Sequence, residues 1–172
     1  MVSNKKLFES DFLVIGSGIA GLTFALKTAV KFKNAKVIIV TKDDQSESNT
    51  KYAQGGIATV YNKTVDSFEQ HIEDTLIAGD GLCNKKIVKM VVEAAPHRLK
   101  ELIDWGTKFD KNEKGDYDLG REGGHSQHRI LHHTDITGAE IERALLEQVN
   151  AQPNIDFLEH HYAIDLITEH QV

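Results

Sequence analysis

Residues 11–21, DFLVIGSGIAG, place a short apolar run directly before the pattern Gly16-x-Gly18-x-x-Gly21. The apolar run predicts a buried strand, and residues 19–32 then take up the apolar spacing of a helix. At such a strand-to-helix turn Gly16 permits the bend, Gly18 lets a pyrophosphate approach the backbone, and Gly21 lets the helix pack on the strand. Phosphates would bind the amides at the helix start. An ordinary glycine-rich turn is the alternative, which the flanking strand and helix disfavour.

The following strand predicts what lies beside the bound nucleotide. Residues 36–40, KVIIV, have the composition of a strand that, like Phe12–Ile15, is buried on both faces, so residues 11–41 form one βαβ unit. The acid that binds a ribose is expected at the strand end, but Thr41 and Lys42 stand there and two aspartates follow. Lys42 either favours a phosphate, as an NADP site would, or is a solvated loop charge.

Composition limits the function classes. The 172 residues are 40% hydrophobic and 27% charged, which is typical of a soluble globular protein, and one domain is expected. A net charge of -6 without a basic stripe argues against nucleic acid or an anionic membrane as a partner. Cys83 is the only cysteine, so no internal disulfide can form, and a buried structural thiol is expected. No signal peptide or membrane-spanning run is visible, and we expect a cytoplasmic protein.

The middle of the chain contains a loop and then helices. Residues 43–60 begin as a polar loop and end in the pair Gly55-Gly56 before a short apolar run, and this pair either lets a ligand approach the backbone or forms a flexible turn. Residues 64–110 predict a helical excursion beside the nucleotide domain. Its first helix covers residues 64–78, and its second begins after the N-cap Asn84 and is either bent or divided into two helices by Pro96.

The last third predicts a loop, a helix and two strands. Residues 116–134 are rich in glycine, histidine and charge. Thr137 begins a helix with a capping box that ends at Glu140. Residues 155–158 and 162–167 predict two strands, the first of which returns to the main sheet.

The segment 121–129, REGGHSQHR, has the profile of a loop that faces a ligand. Arg121 and Arg129 can bind carboxylates through bidentate hydrogen bonds, Glu122 can pair with an ammonium or hold a proton, and His125 can donate to a carboxylate. A solvated hairpin is the alternative. A metal site on His125, His128, His132 and His133 is disfavoured, because the glycines oppose a helix and a strand would send the last two to opposite faces.

Four motifs together resemble the N-terminal portion of the L-aspartate oxidase family over nearly all of the chain. The motifs are VIGSGIAGL at 14–22, YAQGGIA at 52–58, EDTLIAGDGLC at 73–83 and REGGHSQHRILH at 121–132. The first occurs in many flavoproteins, whereas the last is specific to aspartate oxidases. The resemblance implies an α/β fold: a Rossmann-like FAD-binding domain with a parallel sheet and a helical excursion, ending before a capping domain is complete.

The resemblance also implies a non-covalent FAD and assigns residues to it. The diphosphate is expected at the first glycine turn, Lys42 lies by the adenosine half, and residues 49–56 wrap the flavin side. The cofactor-binding set is Gly16, Ser17, Gly18, Ile19, Ala20, Gly21, Lys42, Asn49, Thr50, Lys51, Tyr52, Ala53, Gln54, Gly55 and Gly56.

By the same resemblance Glu122 is the active-site glutamate that orients the substrate by its α-ammonium, and Arg121 and His125 belong to the substrate site. The implied reaction transfers a hydride from Cα of L-aspartate to flavin N5 and gives iminoaspartate, the first step of NAD synthesis by way of quinolinate. Oxygen or fumarate would re-oxidise the flavin. A functional link to quinolinate synthase is expected, and no metal.

The flavoprotein subunit of succinate dehydrogenase or fumarate reductase is the sibling alternative. Those subunits resemble S-H-T-x-A-A-Q-G-G, with a histidine that bonds FAD covalently, whereas Asn49 stands at that place. They also lack the glutamate that corresponds to Glu122.

Members of the family are much longer than this chain. The resemblance therefore predicts a truncated piece of an oxidase that lacks turnover alone. A nucleotide-binding module without catalysis is the alternative from a different class.

Overall fold

The computed structural model describes residues 6–168, which divide into two compact units. The first unit contains the chain up to Asn49 and from Leu145 onward, and the second contains residues 50–144. In the described part of the chain no helix is long and apolar enough to cross a membrane.

The first unit is a parallel α/β layer. Its strands β1 (Phe12–Ile15), β2 (Val37–Val40) and β6 (Ile155–Leu158) pair in the order β1-β2-β6, all parallel. Helix α1 (Ile19–Lys31) connects β1 to β2. The predicted βαβ unit and the return of residues 155–158 to the main sheet are therefore confirmed, with β2 starting one residue later and α1 ending one residue earlier than expected.

Burial of β1 on both faces was a wrong expectation. The side chain of Val14 is buried, but those of Leu13 and Ile15 are each 53% exposed. β1 is an edge strand of this three-stranded sheet, whereas the central strand β2 keeps Val37, Ile38 and Ile39 buried. The apolar run therefore predicted the burial of β2 correctly but not that of β1.

One distant side chain completes the end of α1. Nδ2 of Asn154 lies within hydrogen-bond distance of the carbonyl oxygens of Ala29, Phe32 and Ala35, at 3.3, 3.3 and 2.9 Å. The last carbonyls of a helix have no partner inside it, so these contacts stabilise the α1 end and its connection to β2.

The second unit begins with two packed helices, α2 (Phe68–Ala78) and α3 (Lys85–Asp104). The predicted start of the first helix at residue 64 was wrong, because Asn62 closes a turn on Thr64 and the helix begins only after Ser67, whose Oγ accepts from the Gln70 amide at 3.1 Å. Asn84 caps α3 as predicted.

Pro96 lies inside α3, which continues through it as one assigned helix. The proline removes one main-chain donor. However, Val92, Leu99 and Leu102 are buried on both sides of it, so one continuous apolar face holds the helix together. Of the two open alternatives, a single helix is the one observed.

A small antiparallel sheet follows, with strands β3 (Ile57–Ala58), β4 (Leu119–Gly120) and β5 (Ile130–Leu131) in the order β3-β5-β4. Its core contains Leu99, Phe109 and Leu131. This sheet brings together segments 50–60, 116–122 and 128–134, which lie far apart in the sequence.

Helix α4 (Thr137–Asn150) begins where predicted, and its predicted apolar face of Ile141, Ala144, Leu145 and Val149 is buried. The capping box is wrong. Thr137 Oγ1 accepts from the His133 amide at 3.0 Å, and the Glu140 carboxylate accepts from the Lys108 amide at 2.8 Å and from Arg143. Both side chains bind preceding loops instead of each other's amides.

The second predicted strand, residues 162–167, is also wrong. These residues have no strand assignment, and Ile164 is 95% exposed. The apolar pattern had the right period but found no neighbouring strand among the described residues, and a strand without a hydrogen-bonded neighbour is not stable.

Candidate functional site

The glycine turn of the first unit has the backbone geometry that the motif predicts. Gly16 adopts φ +98°, a region that side-chain-bearing residues rarely enter. A Cβ on Gly21 would lie 2.1 Å from the Gly16 carbonyl oxygen, so only glycine permits this approach of α1 to the turn. Gly18 is the N-cap and offers no side-chain oxygen to the first amides of α1. An anion is the natural partner for amides that no side chain caps.

The Ser17 side chain is committed to the protein. Its hydroxyl donates to Thr41 Oγ1 at 3.1 Å, and both residues are buried. This bond joins the end of β1 to the end of β2. The Ser17 hydroxyl proton is therefore not available to a ligand phosphate, and Thr41, which replaces the expected acid, has a structural role here. Lys42 is exposed.

The two glycines of the pair Gly55-Gly56 have different roles. A Cβ on Gly56 would lie 2.2 Å from the Leu131 carbonyl oxygen, so Gly56 is needed for β3 to pack on β5. A Cβ on Gly55 would meet nothing closer than Glu122 Oε1 at 3.9 Å. Of the pair, Gly55 is therefore the one whose backbone a ligand can approach.

A cleft of about 350 Å³ lies in the second unit beside this pair. It brings the loop that precedes β3 next to the loop that follows β4, although more than sixty residues separate them in sequence. Ten residues line it: Gln54, Gly55, Gly56, Gly120, Arg121, Glu122, Ile130, His132, Thr134 and Asp135. The sequence prediction had placed Gln54, Gly55, Gly56, Arg121 and Glu122 at a ligand site, and the structure brings these five together.

Sequence analysis did not place the other five lining residues at a ligand site: Gly120, Ile130, His132, Thr134 and Asp135. Nδ1 of His132 and Nδ1 of His133 each lie 3.3 Å from a different oxygen of Asp110. The argument that a strand would send these histidines to opposite faces does not apply, because β5 ends at Leu131 before them. Thr134, at φ +44°, donates its amide to Asp110 as well.

His125 does not line the cleft. Its amide donates to the Glu122 carbonyl oxygen at 3.2 Å, which closes a turn with Gly124 at φ +86°. Positive φ at the third turn position is what a type II turn requires. His125 and Glu122 are therefore the two ends of one turn.

Arg129 is not available to bind a substrate carboxylate, which corrects the sequence expectation. Its side chain is fully buried, and Nε and one terminal nitrogen bind the two oxygens of Asp66 at 2.9 and 2.8 Å. The other terminal nitrogen donates to Asp74 Oδ2 at 2.6 Å. A buried guanidinium needs such partners within the protein, and Asp66, which precedes α2, and Asp74, which lies within α2, supply them.

Asp74 also binds Ser126, whose amide and hydroxyl donate to Oδ2 at 2.8 and 2.7 Å. Burial by itself would raise the pKa of the Asp74 carboxyl, but the bonds from Ser126 and then from Arg129 hold that pKa below its usual value. The carboxylate is thus kept ionised.

His71 lies beside this cluster, 6% exposed, with its ring centroid 5.7 Å from that of His125. Loss of hydration and then the Arg129 charge lower the pKa of His71. Its Nδ1 has no hydrogen-bond partner in the described chain.

A parallel α/β layer with a glycine turn at the first strand-to-helix connection defines a nucleotide-binding protein. Residues 11–172 match the FAD binding domain family. The chain belongs to that family, and FAD is the cofactor that membership assigns.

Relatives that are named L-aspartate oxidase support the family resemblance. The chain is 52% identical over 158 residues to L-aspartate oxidase 2-b, chloroplastic, of Nicotiana tabacum. The aligned residues cover 92% of this chain and 24% of that protein. It is 47% identical to the L-aspartate oxidase of Vibrio cholerae, over 95% of this chain and 31% of that protein. The chain thus spans about a quarter to a third of the length of these relatives.

Solved structures agree on the fold. A variant of E. coli quinol fumarate reductase superposes with a TM-score of 0.88 at 31% identity, over 96% of this chain and 28% of that one. Mycobacterium smegmatis Sdh1 gives a TM-score of 0.76 at 32% identity, over 88% and 27%.

Proposed function

We propose that this chain is the N-terminal part of an FAD-dependent L-aspartate oxidase and supplies the diphosphate turn and the glutamate that selects an amino acid. The observation that carries the proposal is the cleft in the second unit, where Glu122 lies beside the open backbone of Gly55. Similarity to proteins named L-aspartate oxidase supports the choice of substrate.

The residues of the first unit fit a dinucleotide diphosphate. The φ of Gly16, the close approach of Gly21 and the glycine N-cap leave a helix start whose amides can bind phosphate oxygens. Ser17, Ile19 and Ala20 would contribute main-chain groups, and exposed Lys42 would approach the adenosine half. In the second unit the segment from Thr50 to Gly56 would contact the flavin side, and Asn49, which cannot form a histidyl bond, leaves the cofactor non-covalent.

FAD supplies the acceptor for the two electrons that leave Cα of L-aspartate as a hydride, while the nitrogen loses a proton and iminoaspartate forms. Glu122 would bind the α-ammonium through a charge-assisted hydrogen bond and can hold the proton that leaves it. Arg121 would bind a substrate carboxylate as a bidentate partner. His125 does not line the cleft, but it closes the turn that begins at Glu122 and would donate to a substrate carboxylate from there. The residues of the chain thus orient the substrate.

A flavoprotein subunit of fumarate reductase or succinate dehydrogenase is the second candidate, favoured by the TM-score of 0.88. Asn49 and Glu122 favour the oxidase, because a glutamate in the cleft suits a substrate that carries an amine. Fumarate or oxygen would re-oxidise the flavin. We also propose a functional link to quinolinate synthase, which would use the iminoaspartate, and a cytoplasmic location.

The test is FAD binding followed by ligand selectivity. The purified chain is expected to bind one FAD, all of which is released on denaturation. L-aspartate should then perturb the flavin spectrum at lower concentration than succinate, which is a dicarboxylate without the ammonium. Glu122→Gln should weaken the L-aspartate preference about 10-fold or more, the usual value of a hydrogen bond to a charged group.

Glu113→Gln, at an exposed position outside the cleft, is the matched control and should leave the preference unchanged. Equal affinity for the two dicarboxylates in the unsubstituted chain would contradict the oxidase and favour the second candidate. A chain that binds FAD but neither dicarboxylate would fit the non-catalytic module.

A further inference from the structure

The turn that carries Glu122 is fixed from one side by buried charge. The turn runs from Glu122 to His125 and is closed by the His125 amide, and Ser126 follows at once. His125 and Ser126, at the C-terminal end of the turn, both contact Arg129. The guanidinium lies 3.4 Å from His125 Nδ1 and 3.4 Å from Ser126 Oγ. The exposed end of the turn, Glu122, has no comparable anchor of its own among the hydrogen bonds described.

Arg129 is itself held rigidly. Two of its nitrogens donate to Asp66, and the third donates to Asp74. Asp74 also accepts from the amide and the hydroxyl of Ser126. Asp74 belongs to α2, so the turn is fastened to a helix through two side chains. A guanidinium presents five donors in a planar fork, which lysine cannot reproduce.

The contact with His125 has a chemical consequence. An arginine nitrogen can only donate, so a neutral His125 that makes this bond accepts at Nδ1 and carries its ring hydrogen on Nε2. His128, three residues later, has the opposite requirement, because its Nδ1 lies 3.0 Å from the Leu119 carbonyl oxygen and that oxygen can only accept. His128 must therefore carry its proton on Nδ1.

We propose that Arg129 is a positioning residue for Glu122: it fixes the end of the Glu122 turn through Ser126 and Asp74 and sets His125 in the tautomer with a hydrogen on Nε2. The inference deepens the proposed function, because an Nε2–H is the donor that His125 needs for a substrate carboxylate. Arg129 acts only through these groups and contacts no substrate.

The tautomers can be read in the chain without FAD or substrate, by long-range 1H–15N correlation spectra after 15N-histidine labelling. The expected result is opposite tautomers in one spectrum: His125 with hydrogen on Nε2 and His128 with hydrogen on Nδ1. Because no ligand is present, failure here leaves the ligand selectivity of Glu122 untouched, and failure of that selectivity leaves this result untouched. Hydrogen on His125 Nδ1 would overturn the proposal.

Arg129→Lys keeps the charge beside Asp66 and removes the fork. We expect the single-tautomer pattern of His125 to be lost while that of His128 persists. Loss of both single-tautomer patterns would show that Arg129→Lys unfolds the chain. The His125 tautomer in the unsubstituted chain and the Ser126 exchange rate in Asp74→Asn would then test the proposal. An unchanged His125 in a folded Arg129→Lys chain would refute the positioning role.

Asp74→Asn leaves both bonds from Arg129 to Asp66, and the asparagine side-chain oxygen can still accept from the Arg129 nitrogen that contacts His125. His125 should therefore keep its tautomer, whereas the Ser126 amide should exchange with solvent faster, because its partner has lost its charge. Arg143→Lys makes the same change as Arg129→Lys at another ion pair of the second unit, that with Glu140, and should alter neither histidine. Unchanged exchange at Ser126 in Asp74→Asn would refute the anchoring of the turn.

Discussion

The glycine turn of the first unit and the cleft of the second are built in opposite ways. The turn presents the backbone of six consecutive residues, and the side-chain bond described there runs from Ser17 to Thr41. The cleft combines the loops around β3, β4 and β5, and buried side chains such as Arg129 hold its rim. A site made of backbone depends on the absence of side chains, whereas a site made of loops depends on distant charges.

The largest effect should come from removing the distant charge. Arg129→Met leaves Asp66 buried without its partner, and breaking a buried pair in this way costs about 3–5 kcal/mol. Urea unfolding followed by the fluorescence of Trp105, the single tryptophan, reports this unit. Arg98→Met breaks an exposed pair with Glu101 and should cost about 0–1 kcal/mol. Equal losses in the two variants would mean that the buried pair at Arg129 stabilises this unit no more than an exposed pair does.

The next largest difference in stability between the two regions should come from adding one methyl group to a glycine. Gly21→Ala forces a Cβ against the Gly16 carbonyl oxygen and should cost about 1–3 kcal/mol by overpacking. Gly55→Ala introduces only ordinary contacts and should leave stability within about 0.5 kcal/mol. Amide exchange in β1 and β2 measures the first variant and Trp105 fluorescence the second. A tolerated Gly21→Ala would mean that the turn can relax.

Two serine substitutions test hydroxyl groups in the two regions. Ser17→Ala removes a buried bond to Thr41 and should cost about 1 kcal/mol. Ser126→Ala removes an exposed hydroxyl while the amide bond to Asp74 persists, and its cost should be smaller. Amide exchange in β1 and β2 measures the Ser17→Ala loss, and Trp105 fluorescence measures the Ser126→Ala loss. A larger loss of stability for Ser126→Ala would reverse the expected order.

The smallest effect is a pH dependence confined to the second unit. The lowered pKa of His71, from burial and then from Arg129 and His125, means that the unfolded chain takes up a proton first as pH falls. The free energy of unfolding should therefore decrease as pH drops through about 6.5 and stop decreasing below the folded pKa. Asp66 and Asp74 oppose this shift, so the slope will be shallow.

His71→Phe should flatten this slope, whereas His97→Phe, at an exposed position on α3, should retain it. Trp105 fluorescence during urea unfolding at several pH values measures both. A slope that persists in His71→Phe would assign the dependence to another group.

The sequence predicted the first region almost completely, because the turn, α1 and β2 depend on neighbouring residues. Local composition singled out Gly55, Gly56, Arg121 and Glu122, the resemblance added Gln54, and the structure shows that the five line one cleft. The bonds of Asp66 and Asp74 to Arg129 and the place of His132 in the cleft were missed, since nothing in local spacing connects them to Arg129 or Glu122. Residues 162–167 and the Thr137 capping box failed for the same reason: a local pattern does not say which distant group a segment contacts.

The three carbonyl contacts of Asn154 bear on how the chain is made. Asn154 is 119 residues beyond Ala35, and β6 follows directly. At about 5–20 residues per second, a ribosome needs on the order of ten seconds to add that stretch. Until then the nascent βαβ unit has an unfinished helix end and an unpaired β2 edge, which makes it a natural client for a chaperone during synthesis.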